Sequence, residues 1–195
     1  MTQETGKEYH QTIFTTCETL MKLLGQLPVP VISVVTGVAA AAGCQLVASS
    51  DIVVATPQSS YSTPGASVGL FCHTPGIPLA RRVSRAMSGY MLLTGLSISG
   101  EEAYNAGLVS RLVPEQDIQT EVDRICSAIA GKPRGVIALG KRFYRKQIEM
   151  PLNSAYPAGG EVMLHNLWFK DAQEGITAFK EKRKPSFTHS DETVQ

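Results

Sequence analysis

The sequence predicts an α/β fold with a helical carboxyl-terminal layer. In the first half of the chain, the apolar segments 31–35 and 52–55 flank a run of very small residues that begins at Ala41, which is typical of strands alternating with a helix. From about residue 115 to 184, helical spacing continues with few breaks. Strands that alternate with helices early and helices that dominate later together indicate this fold class.

The amino-terminal elements follow from spacing and from proline. Apolar residues recur every three or four positions over 3–25, which predicts a helix. Pro28 and Pro30 end that helix and start the strand at 31–35. The remaining predicted elements of this part are a small-residue helix over about 41–49, a strand over 52–55 and an extended segment over 59–63.

A segment rich in Gly, Pro and Thr, 64–78, is predicted to be a loop, and such loops often carry functional residues. Further on, Ser99 and Glu102 have the spacing of a capping box. Pro133 and Pro151 predict breaks in the helical region. The predicted elements after the loop are helices over 79–94 and 99–106, a strand over 108–113 and mostly helix over 115–184.

Composition excludes several classes of protein. The chain has 195 residues and a formal net charge of +1, so no overall field favours nucleic acid or a membrane surface. No apolar run is long enough to span a bilayer, and the polar first residues argue against a signal peptide. The four cysteines are widely scattered, without a C-x-x-C pair or a histidine at metal spacing, so we expect reduced thiols and no metal site.

The start of the small-residue helix is the strongest candidate for a functional site. The first N–H groups of a helix have no intrahelical acceptor and favour negative charge. The small residues Ala41, Ala42 and Gly43 allow a ligand to approach this helix start, although they equally suit close packing against another backbone. Gln45 is the polar side chain nearby, and an amide cannot take up a proton as a carboxylate does.

These residues, with others in the same order, resemble the crotonase (enoyl-CoA hydratase/isomerase) superfamily. A matching carboxyl-terminal segment, 175–185, extends the resemblance to essentially the whole chain. The loop 69–76 is further similar to one mitochondrial branch of that superfamily. The other matching pieces are Pro30-Val31-Ile32, Gly37, the run 41–46, Asp51-Ile52, Thr94-Gly95, Ser99, Glu102-Ala103, Gly107-Leu108-Val109 and Val113-Pro114.

The resemblance implies a fold and an assembly. It implies a crotonase-like ββα spiral, present in part over 1–113, and a helical trimerisation region over 114–195. The early ββα units and the second backbone donor of the family are expected to be missing from this chain, which would leave it poorly stable or inactive alone. A homotrimer or hexamer of the full-length form, a mitochondrial location and an acyl-CoA ligand without a separate cofactor are also implied.

The resemblance also implies roles for particular residues. The N–H of Ala42 matches a donor of the oxyanion hole, which stabilises a developing anion on the thioester carbonyl. Gln45 and Gly65 match the two glutamates with which hydratases activate water, so both catalytic carboxylates are replaced. Phe179 and Lys182 match residues that contact the adenine and phosphate region of CoA.

His73 is the remaining titratable candidate. It lies eight residues after Gly65, near the position where isomerases of the family have a catalytic aspartate. An imidazole can act as a base near neutral pH, but a solvent-exposed or helix-capping histidine fits the same sequence. Nothing around Cys72 lowers the pKa of a thiol visibly, so we expect this side chain to pack inside.

Three functions are therefore compatible with the sequence. The first is an acyl-CoA-binding protein of fatty-acid metabolism without classical hydratase activity. The second is a nonstandard enoyl-CoA isomerase or thioester hydrolase that uses His73, and the third is a non-catalytic regulatory subunit. A dinucleotide-dependent enzyme is disfavoured because 37–43 lacks the G-x-G-x-x-G spacing.

Overall fold

The structure is a computed structural model that describes residues 2–194. It is mixed α/β, as the sequence predicted, and it is mostly helical with two small sheets. The helices are α1 Lys7–Gln26, α2 Ala42–Ser49, α3 His73–Arg82, α4 Arg85–Thr94, α5 Gly100–Asn105, α6 Ile118–Ala130, α7 Arg134–Gln147, α8 Leu152–Leu167 and α9 Lys170–Glu181. The strands are β1 Ile32–Val35, β2 Val38–Ala40, β3 Ile52–Ala55, β4 Ser60–Ser62, β5 Ile98–Ser99 and β6 Arg111–Leu112.

The contacts within the chain define two compact units. The first contains the residues up to Gly25 together with Val31–Val122, and both sheets lie in it. The second contains Gln26–Pro30 and the chain from Asp123 onward, and it is helical.

In the first unit, α2 lies in the connection between the parallel strands β1 and β3. In one sheet β1 pairs with β3, with Ile32 opposite Ile52, and β3 pairs with β6. In the other, β2 pairs in parallel with β4, and β4 pairs antiparallel with β5. Because parallel neighbours need a crossover connection, the chain leaves β1, passes through β2 and α2, and returns as β3. The amino terminus of α2 therefore lies directly after β2.

The core of the first unit fixes this arrangement. Tyr61 of β4, Leu79 of α3 and Met91 of α4 are fully buried in it. Helix α2 packs against α3, and its buried residues include Cys44, Gln45 and Val47. Because interiors pack as densely as crystals, these buried residues of α2 have little freedom to move.

The structure corrects several sequence predictions around the loop. The segment 64–78 is only partly a loop, because Pro64–Val68 is a 3₁₀ helix and α3 already begins at His73. Pro75 misled the prediction, since proline in the first turn of a helix removes no intrahelical hydrogen bond. The single helix predicted over 79–94 is interrupted at Val83, after which Ser84 caps α4 by accepting the Met87 N–H.

Other differences concern short strands. The stretch between the predicted strand 31–35 and the small-residue helix contains β2, whose three residues gave too short a pattern to recognise. The strand predicted over 108–113 is reduced to Arg111–Leu112, and β5 was not predicted. The capping box of Ser99 and Glu102 is confirmed, with both reciprocal hydrogen bonds present.

Candidate functional site

The first turn of α2 is held by hydrogen bonds on both sides. The N–H of Ala41 donates to the Ser62 carbonyl at 3.0 Å, and the Ala41 carbonyl accepts the Gln45 N–H at 3.0 Å. Between them the Ala41 backbone has φ 48° and ψ −112°, which L-residues rarely adopt. These constraints fix the plane of the peptide that joins Ala41 to Ala42.

That peptide plane determines where the Ala42 N–H points. In a trans peptide the C=O and N–H groups are antiparallel. Because the Ala41 carbonyl points along α2 toward Gln45, the N–H of Ala42 points out of the helix start. Within residues 2–194, no hydrogen bond uses the N–H of Ala42 or Gly43. Two backbone donors at the positive end of a helix are thus available to an anionic or carbonyl oxygen.

Gln45 lies one turn further along α2 and is 6% exposed. Its side-chain oxygen Oε1 accepts a hydrogen bond from the Cys17 thiol of α1 at 4.0 Å. Its amide nitrogen Nε2 has no hydrogen-bond partner among the described residues. An amide in this position can donate a hydrogen bond but cannot remove a proton from water.

Gly65 occupies a position where no side chain fits. Its N–H donates to the Cys72 sulfur at 3.3 Å, and its carbonyl accepts the Leu70 N–H at 2.9 Å. A Cβ atom built on Gly65 would lie 2.2 Å from the Leu70 carbonyl oxygen and 2.8 Å from the Cys72 sulfur. The chain folds back on itself here so closely that a glutamate could not be accommodated without a shift of the backbone.

Two cysteines of this region are buried in the first unit. Cys44 is completely buried, and burial, together with the nearby Cys72, raises the pKa of its thiol to about 12. Such a thiol stays protonated near neutral pH and is a poor nucleophile. The sulfur of Cys72, which is also buried as expected, is used as an acceptor for the Gly65 N–H.

His73 is exposed at the first position of α3. Its ring lies against Phe71, with 5.0 Å between the ring centroids, and its backbone N–H donates to the Phe71 carbonyl at 2.8 Å. In the described part of the chain, no carboxylate hydrogen-bonds its ring. The proposed role of His73 as a base stays a prediction.

The two residues matched to CoA contacts lie at the end of α9 in the second unit. Phe179 is 85% exposed. Lys182 follows the helix in a left-handed conformation with φ 53°, and its ammonium makes no ion pair among residues 2–194. Phe179 borders an apolar groove of about 470 Å³, whose other lining residues include Pro133, Val136, Ile176 and Phe187.

The carboxyl-terminal tail is tied to α9 and forms one side of this groove. Arg183 binds Glu174 through two nitrogen atoms, at 2.6 and 2.8 Å, and the Ser186 N–H donates to the same carboxylate at 2.7 Å. These bonds lower the pKa of Glu174 to about 2. The buried Asp171 accepts the backbone N–H groups of Thr188 and His189, so the tail is fixed on either side of Phe187.

Two further observations concern metal ions and membranes. Among residues 2–194, no group of three or more His, Cys, Asp or Glu side chains is arranged to hold a metal ion. None of the helices in that range has the length and apolar character needed to cross a membrane.

Sequence reasoning proposed Ala42, Gln45 and Gly65 as site residues, which stays a prediction, and it missed their immediate partners. Cys17 lies 28 residues before Gln45, and nothing in the spacing links them. The Leu70 carbonyl that closes the space at position 65 is a backbone group, so no side chain signals it. Glycine at position 65 was the available signal, because it marks a close approach of backbone.

Comparison with known proteins gives consistent matches. A family model described as enoyl-CoA hydratase/isomerase matches residues 1–190. The human protein named enoyl-CoA hydratase domain-containing protein 3, mitochondrial, is 50% identical over 189 residues, which is 97% of this chain and 62% of that protein. Its Xenopus laevis counterpart is 50% identical over 190 residues, which is 97% of this chain and 65% of that protein.

Solved structures agree with these matches. The crystal structure of the human domain-containing protein 3 has a TM-score of 0.93 and 50% identity, over 95% of this chain and 74% of that one. That of an enoyl-CoA hydratase from Mycobacterium smegmatis has a TM-score of 0.91 and 42% identity, over 93% of this chain and 71% of that one. The chain spans less than two thirds of the length of the two curated relatives above. These matches confirm the resemblance that the sequence motifs carry, and the chain belongs to the enoyl-CoA hydratase/isomerase family.

Proposed function

We propose that this protein binds acyl-CoA thioesters at the amino terminus of α2 and lacks classical enoyl-CoA hydratase activity. The observation that carries the proposal is the Ala42 N–H, which has no acceptor in residues 2–194 and whose direction is fixed by the bonds of Ala41. A thioester carbonyl oxygen, or the enolate oxygen derived from it, is the acceptor that suits such a donor.

The chemistry around this donor supports binding and anion stabilisation more than hydration. Adding water to a double bond needs a group that removes a proton from the water and a group that returns one. Position 45 carries an amide, and position 65 carries no side chain. We therefore expect no turnover of crotonyl-CoA, and hydration at the rate of a conventional hydratase would contradict the proposal.

The second unit is proposed to contact the nucleotide part of CoA. The exposed ring of Phe179 suits stacking on adenine, and the unpaired ammonium of Lys182 suits a phosphate. A homotrimer or hexamer, a role in fatty-acid metabolism and a mitochondrial location complete the proposal. The name "mitochondrial" carried by the relatives supports the location.

Recognition of the thioester carbonyl can be tested with a matched pair of ligands. S-butyl-CoA is a thioether that has the chain length of butyryl-CoA but no carbonyl oxygen. We expect calorimetry to show butyryl-CoA binding about fivefold more tightly, the contribution of one hydrogen bond. Equal affinities would show that the Ala42 N–H does not recognise the thioester carbonyl. If neither ligand bound, the proposed function would be contradicted.

A proline variant isolates the donor itself. Ala42→Pro deletes the N–H at the first helical position, where the proline ring fits the helix itself, although Ala41 before it must shift toward an extended conformation. We expect it to abolish the preference for butyryl-CoA. Arg85→Pro is the matched control, because Arg85 is the first residue of α4 and is exposed. Circular dichroism of both variants verifies that the helices are retained.

The alternative activities of the family remain open to experiment. An isomerase or thioester hydrolase that uses His73 would lose turnover in His73→Ala while keeping affinity for acyl-CoA. A non-catalytic regulatory subunit would show neither turnover nor acyl-CoA binding. The exposure of His73 and the lack of a carboxylate bonded to its ring in residues 2–194 make it the less favoured base.

A further inference from the structure

Gln45 has a buried side-chain amide, and only one of its two polar atoms makes a hydrogen bond among residues 2–194. The side chain is 6% exposed, and its Oε1 accepts from the Cys17 thiol. Its Nε2 has no partner among residues 2–194. Every fully enclosed side-chain nitrogen or oxygen in that range has a partner, so Nε2 must face an opening. A buried donor that faces an opening without a partner is suited to a ligand acceptor.

The position of Gln45 on α2 places this donor beside the first one. Side chains on a helix lean toward its amino terminus, so the side chain of a residue covers the preceding turn. Gln45 is three residues after Ala42, and residues three apart share one face of a helix. The Gln45 amide therefore covers the turn whose start presents the Ala42 N–H. These two donors, which have no acceptor in the described part of the chain, belong to residues one helical turn apart.

We infer that Gln45 is a specificity-determining residue, and that the preferred ligand is a 3-oxoacyl-CoA thioester. Such a ligand has two acceptor oxygens separated by three carbon atoms, one on the thioester carbonyl and one on the 3-oxo group. The Ala42 N–H accounts for the first oxygen and the Gln45 Nε2 for the second. A saturated acyl thioester offers only the first, and it leaves the amide unpaired in a desolvated site, which is unfavourable. The inference rests on the proposed function because it names the ligand of the same site.

The test compares acetoacetyl-CoA, which has the 3-oxo group, with butyryl-CoA, which lacks it. By calorimetry on the purified chain we expect acetoacetyl-CoA to bind about fivefold more tightly. Gln45→Met keeps an unbranched side chain of similar length without a donor, and we expect it to remove this preference. Gln11→Met, an exposed substitution on α1, is the control and should keep it.

A second variant and a second readout make the result decisive. Gln45→Glu places a carboxylate against the 3-oxo oxygen, and it should reverse the preference at a pH where the carboxyl is ionised. The near-ultraviolet absorption band of enolised acetoacetyl-CoA should grow when this ligand binds to the unmodified protein. The increase should be smaller when it binds to Gln45→Met. Equal affinity for the two thioesters, or a preference that survives in Gln45→Met, overturns the inference and leaves the proposed function intact. Binding of neither thioester overturns both.

Discussion

Positions 45 and 65, which the family resemblance aligns with the two glutamates of hydratases, carry no carboxylate, and their surroundings differ. Gln45 has a side chain of glutamate length in a buried site, and the nitrogen at its end has no hydrogen-bond partner among residues 2–194. Gly65 has no room for a side chain, because the Leu70 carbonyl and the Cys72 sulfur occupy the space of its Cβ. Position 45 therefore has space for a side chain of this length, whereas neighbouring atoms fill the space beside position 65.

This difference predicts that a carboxylate can be introduced more easily at position 45 than at position 65. One substitution could return a carboxylate to position 45 without moving the backbone. Returning one to position 65 requires the turn from Pro64 to Cys72 to be rebuilt, because backbone atoms cannot move aside as flexible side chains do. A carboxylate is thus excluded more firmly by the 64–72 segment than by α2.

The largest expected effect is at the closed position. Gly65→Ala introduces a Cβ that would lie 2.2 Å from the Leu70 carbonyl oxygen, and we expect the free energy of unfolding to fall by about 3 kcal/mol. Gly37→Ala is the matched control, since no atom lies within 4 Å of a Cβ built there. Denaturant unfolding measures both variants, and equal losses would contradict the steric argument.

A smaller effect is expected for a carboxylate at position 45. Burial raises the pKa of a carboxyl group, so the folded-state pKa of the new glutamate in Gln45→Glu should exceed its unfolded value. A raised pKa means that stability is lost as the pH rises through it. We expect a loss of about 2 kcal/mol at pH 8 and little loss at pH 4.

Measuring the unfolding free energies of Gln45→Glu and Gln45→Met as a function of pH checks this prediction. If the loss of stability in Gln45→Glu did not depend on pH, the glutamate side chain would lie in water and not in a desolvated site. Because position 65 stays closed, Gln45→Glu should also fail to gain hydration of crotonyl-CoA, and a gain would show that one carboxylate suffices.

Removing the Cys72 sulfur, which accepts the Gly65 N–H, should lower the unfolding free energy moderately. In Cys72→Ala the Gly65 N–H loses its acceptor in a partly buried setting, and we expect a loss of about 1 kcal/mol. Cys126→Ala removes an exposed thiol and should change the unfolding free energy by less than about 0.5 kcal/mol. If Cys72→Ser is no more stable than Cys72→Ala, the sulfur acts by filling space and not by accepting the hydrogen bond.

The smallest effect is expected at the start of α2. Ala41→Gly removes a strained left-handed alanine with φ 48° but adds freedom to the unfolded chain. These contributions nearly cancel, so we expect a gain of about 0.5 kcal/mol. Thermal unfolding measures the change, and a clear loss would show that the alanine methyl group packs productively.

Much of the fold could be predicted from local patterns. The spacing of apolar residues gave α1, β1 and β3 because these elements are long or strongly apolar. The three-residue strand β2 and the two-residue strand β5 could not be predicted, since they exist only through pairing with β4. The position of the α3 start at His73 depended on recognising that Pro75 fits a first helical turn.

The sequence by itself determined the family, a small-residue helix that begins at about residue 41 and the absence of carboxylates at positions 45 and 65. These are matters of residue identity and order. Only the tertiary structure decided that Gly65 is enclosed by Leu70 and Cys72. It likewise decided that the Gln45 amide oxygen accepts from Cys17 while the amide nitrogen has no partner in residues 2–194. Such facts depend on how segments distant in sequence, or backbone groups without a side-chain signal, come together in space.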